Sequence, residues 1–125
     1  MDRRMVDIVG RGLPYIVAEI DGTVVGFAYA ALYRTRVAYK YTLEDSVYIH
    51  DQHMQRGVGF ALLQELIRGC KQWGCRQLVA VIGDSKNTSS IRVHEKAGFQ
   101  HSGVLRDVGY KFDRWLDTVF MQLPL

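Results

Sequence analysis

Proline is nearly missing from this chain: Pro14 and Pro124 are the two in 125 residues. They flank the body and interrupt no element between them. Cysteine is as scarce, with Cys70 and Cys75 alone. Five residues apart around a helix end, they make a poor disulfide pair and lack metal-site spacing, so they read as free thiols, and no metal is expected. No apolar run approaches the ~20 residues of a membrane span. Met1 to Ile8 lacks the apolar stretch of a signal peptide. The expectation is a cytoplasmic protein with no membrane partner. The net charge is only +3, with the basic residues scattered. Without a basic tract, nucleic acid is not an expected partner. Internal repeats, linkers and low-complexity segments are absent as well.

What is present suits one packed domain over residues 1–125. The length is that of a single domain. With 48% hydrophobic and 23% charged residues, the chain can bury a core, which excludes disorder. Tyr15 to Ile20 and Thr23 to Tyr33 read as strands joined by Asp21-Gly22, a tight hairpin turn. Arg34 to Tyr41 reads as a loop, and Thr42 to His50 as a third strand. Gly57 to Trp73 carries Val58, Ala61, Leu62, Leu66 and Ile67 at helical spacing, with Gly74 as its C-terminal glycine. Gln77 to Ile82 is a compact apolar strand, expected to be buried on both faces. Asn87 to Ala97 is a second helix, opened by Asn/Thr/Ser capping chemistry and closed by Gly98. Phe99 to Leu105 and Trp115 to Leu123 are strands, with Gly109 to Asp113 between them. The expected order is β-β-β-α-β-α-β-β, a mixed α/β fold.

The informative segment runs from Val47 to Leu63, where a strand leads through a loop to a helix opened by Gly57 and Gly59. First-turn amides of a helix lack internal partners, the dipole is positive there, and glycines admit a ligand close to the backbone. Such an element suits a pyrophosphate. The dinucleotide fingerprint is incomplete, with Leu62 where its third glycine would stand, and the P-loop pattern is absent. On this segment alone, a phosphate site and a helix start with glycine for packing both stand.

Two stretches together carry a resemblance. Met54-Gln55-Arg56-Gly57-Val58-Gly59 is similar to the [Q/R]-x-x-G-x-[G/A] signature of the GNAT superfamily of N-acetyltransferases, with Met54 departing at its first position. Asn87-Thr88-Ser89-Ser90-Ile91-Arg92-Val93-His94-Glu95-Lys96-Ala97-Gly98-Phe99 resembles that family's N-x-x-[S/A]-x-x-[L/V]-[H/Y]-E-x-x-G-F segment. Arg36 to Tyr48 and Val108 to Asp117 look like the phosphinothricin/methionine sulfoximine acetyltransferase subgroup. The likeness covers the chain from about Leu13 onward. Subgroup members usually carry a further strand and two helices in front. On that comparison this chain is N-terminally shortened and starts near the end of the second helix.

The resemblance implies a GNAT acyltransferase fold, acetyl-CoA as cosubstrate, and a small-molecule amine acceptor resembling an amino acid. Glu44 is then the base that takes the amine's proton, directly or through water; on residue type alone it reads as a surface glutamate at a strand start. Val47, Tyr48 and Ile49 are implied amide donors to the thioester oxygen. His94 stands where many relatives carry a tyrosine acid. It reads as a proton donor, as a helper of Glu44, or as a helix histidine packed under the sheet. Gln55, Arg56, Gly57, Val58, Gly59 and Phe60 are implied cofactor-loop residues. Asn87 reads as cofactor-binding, as a helix cap, or both, and Ser89 and Ser90 repeat that argument. Arg34, Tyr39, Tyr41 and Thr42 precede Glu44 and, with neighbouring Lys40, make a cationic, aromatic loop suited to an anionic acceptor. Tyr110 and Lys111 are acceptor-side candidates by resemblance. The Trp115 strand is a candidate homodimer contact, since relatives commonly dimerise, or simply core.

Two other readings stay open. One keeps the fold and changes the acceptor to a protein N-terminus, a polyamine or an antibiotic amine, although the basic loop argues against polyamines. The other is a non-catalytic acyl-CoA-binding or dimerisation module.

Overall fold

Asp21 and Gly22 both take positive φ, 51° and 79°, and turn β1 (Tyr15–Ile20) into β2 (Thr23–Leu32). The computed structural model describes residues 3–53 and 57–125. Before β1 lies a short helix, α1 (Arg3–Gly10), whose Ile8 is buried in the core. The chain continues through β3 (Thr42–Ile49), α2 (Val58–Trp73), β4 (Gln77–Ile82), α3 (Thr88–Lys96), β5 (Gln100–Lys111) and β6 (Arg114–Pro124). After α1, this order is the expected one.

The strands form one mixed sheet in the order β1-β2-β3-β4-β6-β5. Only the β3–β4 pair is parallel, which requires the α2 crossover. α2 lays Leu62, Leu63, Leu66 and Cys70 on the sheet, where Leu43, Leu78 and Met121 are fully buried. Ala61, expected on the apolar face, points to solvent, and Leu63 takes the core position. α2 ends at Gly74 (φ 107°), whose N–H donates to the carbonyls of Cys70 and Lys71. The N–H of Cys75 also donates to the Cys70 carbonyl, closing the helix with its orphan acceptors satisfied.

Two strand expectations change. β4 is not buried on both faces: Val81 is 36% exposed while Leu78 and Ile82 face the helices. β5 runs past Leu105 to Lys111, so the turn contracts to Phe112-Asp113, with φ of 54° and 56°. Two positive-φ residues make the mirror-image turn whose twist matches a hairpin. The far half of this hairpin carries few core side chains, so no alternation marked it as strand.

β3 divides its side chains by parity. Leu43, Asp45, Val47 and Ile49 face the helices. Glu44, Ser46 and Tyr48 face the other side, where Tyr48 stacks on Phe27 at 4.9 Å and Tyr29 stacks on Tyr15 at 5.6 Å. β2 approaches β3 closely at Gly26, where an added Cβ would stand 2.8 Å from the Tyr48 carbonyl oxygen. Glycine is what permits that approach.

Candidate active site

The β3–β4 ladder pairs Thr42 through Asp45 with Gln77 through Ala80 and then stops. Beyond Asp45 the two parallel strands diverge, while β3 stays paired with β2 as far as Ile49. The His50 N–H donates to Val25 O on the β2 side at 2.8 Å. By strand alternation the amides of Val47 and Ile49 therefore point to the β4 side, where no ladder partner opposes them. The amide of Tyr48 points to β2.

A cleft of about 520 Å³ opens at this divergence. Val47 and Ile49 form one wall, Gly57, Gly59 and Phe60 at the start of α2 another, and Asn87, Ser89 and Ser90 at the start of α3 a third. Gly57 is the N-cap of α2 with φ 80°, a conformation that favours glycine, and it offers no side chain to cap the first-turn amides. Those amides and the positive helix end are left for a ligand. Gly59 is less constrained: an added Cβ would make ordinary contacts at 3.7 Å with Ile49. This is the physical basis for glycine at the first of these positions and glycine or alanine at the second.

Asn87 caps α3, its Oδ1 accepting from the Ser90 N–H at 3.3 Å and from Ser89 Oγ at 3.4 Å. It also lines the cleft, so cap and ligand wall coincide. Asn87→Ala is expected to lose about 1 kcal/mol of stability with the cap, read as a lower melting temperature.

The other expected residues separate. Val58 is packed against the core rather than lining the cleft. Tyr48 has its side chain on the opposite face, 48% exposed. Gln55 and Arg56 lie outside the described residues. Arg34 and Tyr39 line a second depression of about 410 Å³ with Tyr33, Thr35 and Arg36, and Tyr41 and Thr42 stand outside it. The Arg34 guanidinium lies 4.0 Å from the Tyr33 ring centroid and donates to the Tyr33 carbonyl. Tyr110 packs edge-on against Trp115, and Lys111 lies over Phe112, both out on the β5–β6 hairpin and lining neither cavity.

Glu44 is half-buried on the face opposite α2 and α3, between Ala31 and Val79 in register. Burial pushes its carboxyl above the usual glutamate range, the adjacent Asp45 charge adds to this, and Arg34 works against it. A carboxyl so raised is a stronger base than an exposed one.

His94 is 4% exposed, at the back of the cleft. Its Nδ1 lies 2.8 Å from the Ser90 carbonyl and its Nε2 2.9 Å from Asp45 Oδ1. Both ring nitrogens are engaged, which disfavours proton donation to a leaving group and favours the reading of a histidine packed under the sheet. Burial works against a charged ring, yet the hydrogen bond and charge of Asp45 prevail, and the net shift is upward.

Sequence reasoning missed Thr88, Arg92, Val93 and Lys96, which also line the cleft. Arg92 and Lys96 are four apart on α3, hence on one helix face, a spacing that marks a cationic rim. Lys96 sits 4.3 Å from the Phe60 ring centroid, bridging α3 to α2. Asp45 was missed too, although its parity with Leu43, Val47 and Ile49 puts an acid on an apolar face.

Residues 4–99 match the acetyltransferase (GNAT) family. The chain belongs to the acetyltransferase (GNAT) family. It is 52% identical, over its whole length, to a phosphinothricin N-acetyltransferase of Alcaligenes faecalis, of which it covers 64%. It is 42% identical over 91% of its length to an L-methionine sulfoximine/L-methionine sulfone acetyltransferase of Salmonella typhimurium, covering 66% of that protein. The chain thus spans a little under two thirds of the length of these curated relatives. A crystal structure of a GNAT superfamily phosphinothricin acetyltransferase from Sinorhizobium meliloti in complex with AcCoA superposes with a TM-score of 0.94, at 46% identity over 98% of this chain and 66% of that one. In this GNAT chain, the residues that fit an acyl-CoA are the α2 first turn for a pyrophosphate, Arg92 and Lys96 for further anionic charge, and the Val47 and Ile49 amides for a carbonyl oxygen.

Proposed function

We propose that this chain carries the catalytic core of an acetyl-CoA-dependent N-acetyltransferase acting on a small amino acid-like amine of the phosphinothricin or methionine sulfoximine type. The carrying observation is the divergence of β3 from β4, which leaves the Val47 and Ile49 amides without ladder partners inside a cleft walled by two helix N-termini. The names of the relatives support the choice of acceptor.

The sheet then separates the two substrates. The cleft on the helix face takes the cofactor, and the Glu44 face takes the acceptor. Bound acetyl-CoA supplies an acetyl group activated as a thioester. Glu44 takes a proton from the acceptor's ammonium, freeing a nitrogen lone pair. The nitrogen bonds to the carbonyl carbon while the Val47 and Ile49 amides donate to the developing oxyanion. The C–S bond then breaks, the sulfur leaves with the electron pair, and the second proton on the nitrogen passes to that thiolate, giving the neutral amide and free CoA thiol. Arg34, close enough to act electrostatically on Glu44, is the candidate partner for the acceptor's acidic group. The proposal includes a homodimer, supported by the exposed apolar side chains Tyr110, Phe112 and Trp115 (60%, 79% and 62%) along the β5–β6 hairpin.

The test follows free CoA thiol released from acetyl-CoA, with phosphinothricin, methionine sulfoximine and methionine sulfone as acceptors. Turnover with any of them is the expected result. Acetyl-CoA binding without turnover would move the acceptor to another amine. Failure to bind acetyl-CoA would sink the enzymatic reading of this chain.

A further inference from the structure

Asp45 stands where the sheet opens. It is the last β3 residue paired to β4, opposite Ala80, and its other neighbour in register is Ala30 on β2. Both alanines are essentially inaccessible, and Asp45 itself is 6% exposed. The carboxylate thus occupies a pocket made by small residues beneath the helices. Its Oδ1 meets His94 Nε2, and His94 Nδ1 meets the carbonyl of Ser90 in the first turn of α3. That same Ser90 donates its N–H to Asn87. A continuous path therefore runs from the fork of the sheet to the helix end that walls the cleft.

The chemistry of this path is narrow. A carbonyl only accepts, so Nδ1 carries a proton. The Nε2–Oδ1 contact then holds one further proton, whichever atom owns it. Phe99 packs edge-on against the ring at 4.8 Å, which restricts its rotation. Asp45 Oδ2 has no partner among the described residues. A buried acid–histidine pair with an unsatisfied oxygen is a poor way to gain stability, because an apolar pair of similar volume does as well or better. What the pair supplies, and an apolar one does not, is a directional link of fixed length between β3 and α3.

We propose that Asp45 is a positioning residue of the acetyl-transfer site, holding the first turn of α3 through His94 at a fixed distance from the strand that carries Glu44 and the Val47 and Ile49 amides. This rests on the acetyltransferase reading. Among the described residues, the titratable groups that interact with Asp45 include His94 from α3, Cys70 from α2 and Glu44 on its own strand, while the facing positions of β2 and β4 are the two alanines. Asp45 also raises the Glu44 carboxyl from one residue away, so it touches both sides of the reaction.

Two variants test this, with direct acetyl-CoA binding and the pH dependence of kcat/KM as readouts. Asp45→Ala cuts the link. Its acetyl-CoA dissociation constant is expected to rise and its kcat/KM to fall by on the order of 10–100-fold, the scale for misplacing reacting groups by about an ångström. In Asp45→Asn the amide donates to a neutral Nε2, so the link survives without the charge. Acetyl-CoA affinity is expected to return to within about threefold of wild type, well under the loss that misplacement brings. Because Glu44 has lost a negative neighbour, the acidic limb of the rate profile is expected to move to lower pH. An Asp45→Ala protein that binds and turns over like wild type would overturn the proposal. So would an Asp45→Asn protein that fails to restore affinity or leaves the limb in place, a result readable even if Asp45→Ala does not fold. A wild-type protein that does not bind acetyl-CoA would instead refute the function on which the proposal stands.

Discussion

Glu44→Gln is expected to lower kcat by about 100-fold or more, the lower range for removing a general base, with acetyl-CoA binding unchanged. The glutamine keeps the shape and loses only the proton acceptor. Binding survives because Glu44 lies on the sheet face opposite the cleft walls of α2 and α3. The wild-type rate profile carries the same signature. Burial, with Asp45 adding to it, raises the Glu44 carboxyl, so the rate should fall on acidification at a pH above the ordinary glutamate range. The substitution leaves stability intact or improves it at neutral pH. A glutamate whose folded pKa is raised contributes stability below its unfolded pKa and loses it as pH rises through the folded value. At neutral pH the charged form is the disfavoured one, and glutamine relieves it. A Glu44→Gln enzyme that turns over at the wild-type rate, or keeps the wild-type acidic limb, would remove Glu44 from the chemistry.

His94→Leu is expected to cost about 3–5 kcal/mol of stability, the usual result of removing one partner from a buried pair, read by denaturant unfolding. The leucine fills much of the space but leaves Asp45 with no partner for Oδ1 as well as Oδ2. Replacing both members, as in Asp45→Leu with His94→Leu, should recover much of that loss, since apolar pairs substitute well for buried ionic ones. The double variant should still fail in the assay, because fold stability and cleft geometry are separate contributions of the pair. The pH dependence has a fixed sign. The histidine's folded pKa is raised, so its contribution is fully present below its ordinary value of 6.5 and lost as pH rises through the folded value. The stability gap between wild type and His94→Leu should therefore narrow above that range.

Much of the fold was legible because its signals are local. Asp21-Gly22 announced a hairpin, the apolar spacing from Val58 to Ile67 announced α2, and Gly74 and Asn87 marked helix ends that the structure places there. Three features escaped for physical reasons. The helix α1, where only the resemblance implied the end of a helix, is eight residues long with exposed Val6 and Val9, too short for periodicity to register. β5 is interrupted between His101 and Gly103 and between Leu105 and Gly109, which breaks its alternation. The uncovered face of β4 depends on what packs there, which an apolar hexapeptide does not encode. In the site, the glycine loop and the Asn87 cap were readable because each depends on backbone chemistry at one helix end. Asp45 was not singled out, because its partner His94 is distant in sequence and only the fold joins them.

The short β3–β4 ladder also bears on how the chain reaches its fold. β1, β2 and β3 pair as successive antiparallel neighbours, and β5 pairs with β6 across a two-residue turn. Such local pairings need little loop closure. β3 and β4 run parallel, so they meet only after the intervening α2 has been laid across the sheet. Four residue pairs, Thr42–Gln77 to Asp45–Ala80, make the ladder of that junction, and the Tyr41 carbonyl accepts from the Arg76 N–H just before it. β4 is long-range in sequence to both of its neighbours, β3 and β6, so contact order predicts that its pairings close late, and the candidate site lies where the β3–β4 seam leaves off.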